Sequence, residues 1–141
     1  MKNTNCLALS ILLLSLVLTA KAQAGEATAT GPQTLHHVVI IWLKQHGDEQ
    51  IRQQYIKESQ VLAQLPGVLS YQIGTPASIQ RQRPNAAVDD SYDLAVSSRF
   101  ESQQAYEDFL KHPLYLKLAQ ESLRPLVDQY KIYDFAVGAA E

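Results

Sequence analysis

The stretch Leu35-His36-His37-Val38-Val39-Ile40-Ile41-Trp42-Leu43 decides the fold of this 141-residue chain. Four consecutive β-branched residues followed by a tryptophan predict a β-strand. Successive side chains on a strand point to opposite faces. One face therefore carries Leu35, His37, Val39, Ile41 and Leu43, and the other His36, Val38, Ile40 and Trp42. Both sets are mostly apolar, so both faces need cover, and the strand belongs in the middle of a sheet.

Working outward, Asp48 suits an N-cap and Glu49 the first turn of a helix over Glu49–Leu65, whose apolar stripe is Ile51, Tyr55, Val61, Leu62 and Leu65. Pro66-Gly67 ends it, and Val68–Gly74 reads as a second strand. Residues 75–90 hold two prolines and little periodicity, the mark of a long surface loop. A third strand is expected over Tyr92–Phe100, with Tyr92, Leu94, Val96, Ser98 and Phe100 alternating against Asp93, Ala95, Ser97 and Arg99. Ser102 can cap a short helix carrying Ala105, Tyr106, Phe109 and Leu110. Pro113 opens another with Leu114, Leu118 and Leu123 on its apolar side, and Pro125 stops it. Tyr130–Val137 supplies a fourth strand.

The order β-α-β-β-α-β predicts an α+β, ferredoxin-like domain over residues 34–138, with one antiparallel sheet and both helical segments on the same face. The remaining face cannot be solvated cheaply. Two subunits placing sheet on sheet would cover it and build a dimeric α/β barrel; a long loop folded over the sheet is the alternative.

Ahead of this domain, Lys2, the apolar run Leu7–Leu18 and the small residues of Ala20-Lys21-Ala22-Gln23-Ala24 have the pattern of a secretory signal peptide over residues 1–24. Cleavage is expected after Ala22 or Ala24, with residues 25–33 as a flexible leader. The apolar run is too short for a membrane anchor, which needs about 20 residues. The protein is therefore expected to be exported, periplasmic or secreted. Cys6, the one cysteine, leaves with the signal, taking any disulfide or thiol chemistry with it. Loss of Lys2 and Lys21 reduces 12 basic residues to 10 against 14 acidic ones and moves the formal net charge from −2 to −4. Such a balance argues against a nucleic-acid partner.

Five landmarks, HHVVIIWLK, LPGVLSYQIG, YDLAVSSRFES, YEDFLKHPLY and the terminal IYDF, occur in the order in which they resemble the stress-responsive dimeric α/β-barrel (Dabb) family over Leu35–Phe135. That resemblance implies a homodimer and a small cavity between sheet and helices in each subunit. The family includes plant stress proteins and a cyclase type resembling olivetolic acid cyclase. By the same resemblance, His37 matches the strand histidine of the cyclases and Asp134 the strand aspartate that supports a cavity histidine. His112-Pro113-Leu114-Tyr115 matches an HPxH motif except at Tyr115, where the cyclases carry their acid/base histidine. A phenol with a pKa near 10 is a poor base at neutral pH but still a hydrogen-bond donor.

Read from the residues alone, His37 stands among Leu35, Val39 and Ile41. An apolar setting disfavours the charged imidazolium and leaves a ring suited to act as a base. A core histidine satisfied by a backbone group or carboxylate would show the same pattern. Asp134, on an otherwise apolar strand, needs a partner, and His37 on the adjacent strand is the obvious one. The candidate catalytic set is His37, Asp134 and Tyr115; the candidate ligand-binding set is His112, Phe109, Tyr71 and Tyr92. His36 and His37 point to opposite faces and cannot share an ion; no metal or cofactor is expected. The readings that follow are a small apolar ligand in the cavity, a cofactor-independent cyclase- or lyase-like enzyme on a carbonyl compound, or a monooxygenase of the related dimeric barrels.

Overall fold

A computed structural model describes residues 33–138; the expected signal peptide, and all but the last residue of the expected leader, lie outside them. Strand β1 (Thr34–Leu43) leads to α1 (Glu49–Ser59), a 3₁₀ turn (Gln60–Gln64), β2 (Val68–Gly74) and β3 (Leu94–Phe100). Helices α2 (Gln103–Lys111) and α3 (Pro113–Leu118), a π turn (Ala119–Leu123), a 3₁₀ turn (Arg124–Leu126) and β4 (Val127–Val137) complete it. The sheet order is β2-β3-β1-β4, with β1 antiparallel to both neighbours. This is the ferredoxin-like split βαβ arrangement, and β1 is central.

Local chemistry places the helix ends. The Asp48 carboxylate accepts from the Ile51 N–H at 3.1 Å, and the Ser102 hydroxyl from the Ala105 N–H at 3.1 Å. Gly67 is required where β2 begins: its φ is +77°, and a Cβ there would lie 2.7 Å from the Ala105 Cβ of α2.

Ile41, Leu43, Leu94, Val96 and Phe100 from the inner sheet face pack with Tyr55, Leu62, Tyr106, Phe109 and Leu123 into one buried core. On the outer face His36, Val38, Ile40 and Trp42 of β1 are only half-buried, and the edge strand β4 is exposed on both faces, with Tyr133 53% and Phe135 49% exposed on the outer one. The loop between β2 and β3 does not cover this face. It touches Trp42, whose indole N–H donates to the Ser91 hydroxyl at 3.1 Å, and leaves Tyr133 and Phe135 exposed.

Three boundaries differ from the sequence-based expectation. The first helix tightens into a 3₁₀ turn after Ser59. The fourth strand starts at Val127, because Leu43 pairs with Val127 across a register shift beside Trp42. The third strand starts at Leu94, and Asp93 does not follow the alternation: it is fully buried beside the equally buried Leu94. Its carboxylate turns inward to the end of β1, the following turn and α1.

Candidate functional site

Between the inner sheet face and the helices lies a cavity of about 140 Å³. Its floor is His37, Val39 and Ile41 of β1 with Val96 and Ser98 of β3; Tyr106, Phe109 and Tyr115 of α2 and α3 face them, and Tyr55 and Tyr71 close one side. The lining is largely apolar, and the polar groups in it are phenols, His37, Ser98 and Arg124.

The β1–β4 register sets His37 directly opposite Asp134. Nδ1 of His37 lies 2.6 Å from Asp134 Oδ1 and 2.9 Å from the Tyr106 hydroxyl. A carboxylate only accepts, so Nδ1 carries the proton and donates to Asp134. That leaves the lone pair on Nε2, which makes no hydrogen bond among the described residues. The ring is held by Tyr106, at 4.9 Å between centroids, and by the edge of Phe100 at 6.5 Å. It is 12% exposed, against 40% for Asp134.

The phenols stay protonated. Burial pushes the Tyr106 hydroxyl well above its ordinary range, and the nearby Asp134 charge adds to this. Burial likewise raises Tyr55, Tyr71 and Tyr115; Arg124 opposes the shift at Tyr115. Each is therefore a hydrogen-bond donor, not a base, at neutral pH.

Of the residues singled out from sequence, the structure brings His37 and Asp134 together and places Tyr115, Phe109 and Tyr71 in the cavity wall. His112 and Tyr92 are not in the wall. The His112 Nδ1 accepts from the Leu114 N–H at 3.2 Å, capping α3, so the ring is committed to the helix start. Tyr92 precedes β3, outside the alternation that would have turned it inward. Tyr106 was missed: it read as one apolar position of a short helix, although its spacing of three from Phe109 puts both on the sheet-facing side. Tyr55, Tyr130 and Arg124 in the wall also went unread.

A second histidine–aspartate pair lies at the end of β1, outside the cavity wall. Asp93 accepts from the Leu43 N–H at 2.8 Å, the Gly47 N–H at 2.8 Å, His46 Nδ1 at 3.0 Å and Arg52 Nη2 at 2.9 Å. Burial alone would raise this acid, but the donors outweigh it and hold the pKa at about 2. Gly47, at φ +78°, adopts the left-handed conformation in the turn that carries its N–H. Among the described residues no group of three or more His, Cys, Asp or Glu side chains converges as a metal site would, and no helix is long and apolar enough to cross a membrane.

A family model, the stress responsive A/B barrel domain (Dabb), matches residues 35–137. The chain belongs to the Dabb family. Its fold is shared with a Dabb family protein from Mesorhizobium loti, described as ferredoxin-like, at TM-score 0.59 and 18% identity over 73% of this chain and 95% of that one. A dimeric ferredoxin-like protein of unknown function from Thermobifida fusca aligns at TM-score 0.58 and 16% identity, covering 75% of this chain and 92% of that one. The hydroxynitrile lyase of Passiflora edulis aligns at TM-score 0.59 and 19% identity, covering 78% and 98%. No curated protein matches the sequence.

Proposed function

We propose that this Dabb protein is exported and forms a homodimer through its outer sheet face, and that each subunit holds a small, mostly apolar molecule bearing a hydroxyl group. The observation that carries the ligand is a largely apolar, phenol-lined cavity with His37 in its wall, its tautomer set by Asp134. A cavity of this size takes a molecule on the scale of a substituted benzene. Nε2 of His37 accepts the ligand's hydroxyl, and the phenols donate to a second oxygen if one is present. The dimer is supported by the half-buried apolar strip of β1 with exposed Tyr133 and Phe135 beside it, and by dimeric relatives of the same fold. Export rests on the N-terminal signal pattern.

The ligand is tested by extracting protein purified from the exported fraction and identifying what it carries, then by titrating it with benzyl alcohol. Saturable binding that weakens in His37→Ala is expected; no binding at millimolar concentration would sink the reading. For the dimer, Ile40→Asp and Ile41→Asp separate the two faces. Ile41 is 1% exposed within the core, so its substitution should unfold the chain, whereas Ile40→Asp should yield a folded monomer by light scattering. A wild-type monomer at micromolar concentration would exclude the interface.

The Tyr106 hydroxyl beside a polarised histidine favours a second reading, a cofactor-independent lyase. His37 Nε2 takes the proton of the ligand's hydroxyl, the adjacent carbon–carbon bond breaks, a carbonyl forms, and the leaving carbanion receives the proton. Asp134 orients the base, and Tyr115 donates to the developing carbonyl oxygen. Release of benzaldehyde from mandelonitrile, abolished by His37→Ala and reduced by Tyr115→Phe, would support it; wild-type release at the buffer rate would not.

A further inference from the structure

The cavity is a slot whose two ends differ in charge. His37 and Ile41 both line it, and four residues of strand set them about 13 Å apart. His37 and Tyr106 line one end, and the Asp134 carboxylate sits behind them against His37 Nδ1. At the other, Tyr130 stands opposite Ile41 in the β1–β4 register, and Arg124 joins the wall just before β4. Tyr115 also lines the slot.

Arg124 makes no ion pair among the described residues, unlike Arg52, which is held by Asp93. The backbone that presents it is unusual and firmly held. Ala119–Leu123 form a π turn, a form concentrated at functional sites, and Ala119 and Leu123 themselves line the slot. Pro125 then fixes φ. The Lys44 ammonium donates to the Pro125 carbonyl at 2.8 Å, and the Lys44 N–H to the Leu126 carbonyl at 2.9 Å. Arg124, exposed and without an acid partner among the described residues, thus stands on a fixed backbone at one end of the slot, and the Asp134 carboxylate lies behind His37 at the other.

We infer that Arg124 is an anion anchor and that the hydroxyl-bearing ligands of this cavity also carry a carboxylate, at the end of a slender apolar or aryl body opposite the hydroxyl that meets His37, an inference that rests on the cavity being a ligand site. The guanidinium fork matches a carboxylate in two parallel hydrogen bonds. The protonated Tyr115 phenol adds a donor on the same side. Repulsion from Asp134 fixes the direction: the carboxylate lies at Arg124 and the apolar body runs along β1 towards His37. The protein's net charge is −2, so any preference for an anion must be local.

Two probes of the same shape decide it, 4-(4-hydroxyphenyl)butanoate and its neutral amide, 4-(4-hydroxyphenyl)butanamide, each with a hydroxyl for His37, titrated into the purified protein by NMR. The carboxylate should bind at least about tenfold tighter, the usual gain from a charge-assisted hydrogen bond. Arg124→Gln should erase that preference, the carboxylate's affinity falling to the level of the neutral probe. Arg124→Lys should restore part of it, as a point charge without the fork. Equal affinities in the wild type, or a preference that survives Arg124→Gln, would overturn the anchor while the cavity remains a ligand site. Absence of shifts at cavity residues with either probe would overturn both.

Discussion

The two histidine–aspartate pairs of this fold are built the opposite way round. At Asp93 the acid is fully buried and the histidine 63% exposed; at His37 the ring is 12% exposed and the acid 40%. Asp93 gathers donors from β1, the 44–47 turn and α1, so its carboxylate binds three parts of the chain together. Among the described residues Asp134 accepts from His37 alone, and what it controls is which nitrogen of His37 carries the proton. The same two residue types make a structural hub in one place and a tuned ring facing a cavity in the other. Which partner is buried decides the role.

The largest effect should come from removing the hub. Asp93→Ala leaves the Arg52 guanidinium and two backbone N–H groups without their acceptor, and should cost about 3–5 kcal/mol in denaturant unfolding. Asp134→Ala removes a 40% exposed carboxylate and leaves His37 Nδ1 beside the Tyr106 hydroxyl, and should cost about 1 kcal/mol or less. Equal losses would erase the distinction between the pairs.

Acid separates them next. The Asp93 pKa is depressed in the folded state from 3.8 to about 2. Its contribution, ~2 kcal/mol, is fully present above the unfolded value and lost as the pH falls from about 4 to about 2. Unfolding free energies across that window should fall less steeply in Asp93→Asn than in the wild type. Parallel curves would mean that Asp93 is not the group responsible.

A smaller effect is expected at His46. Its exposed ring is one donor among several on Asp93, so His46→Ala should shift stability by about 0.5 kcal/mol. A loss several times larger would make His46 a structural member of the hub and not its solvent-facing edge.

Much of this could be read from the residues, and the misses share a cause. The apolar character of both faces of β1 placed it at the centre of the sheet, the family resemblance put His37 at the cavity, and an acid on an apolar strand pointed to the His37–Asp134 contact. Alternation over Tyr92–Phe100 sets Asp93 on the face opposite Leu94 and Val96, because it cannot show that the chain turns inward one residue before the ladder begins. Tyr106 and Arg124 were passed over for a related reason: a phenol on a short helix and an arginine after a π turn gain meaning only from what tertiary packing sets opposite them. The HPxH likeness suggested a ligand contact for His112, where helix capping takes the ring instead.

The most direct test of the central claim is a long-range ¹⁵N–¹H correlation spectrum of the His37 ring, recorded with and without benzyl alcohol. The expected result is a ring protonated on Nδ1 in both samples, with an Nε2 resonance that moves saturably as the hydroxyl binds, and an Nδ1 preference that is lost in Asp134→Asn. A ring protonated on Nε2, unmoved by the alcohol and unchanged in Asp134→Asn, would contradict it.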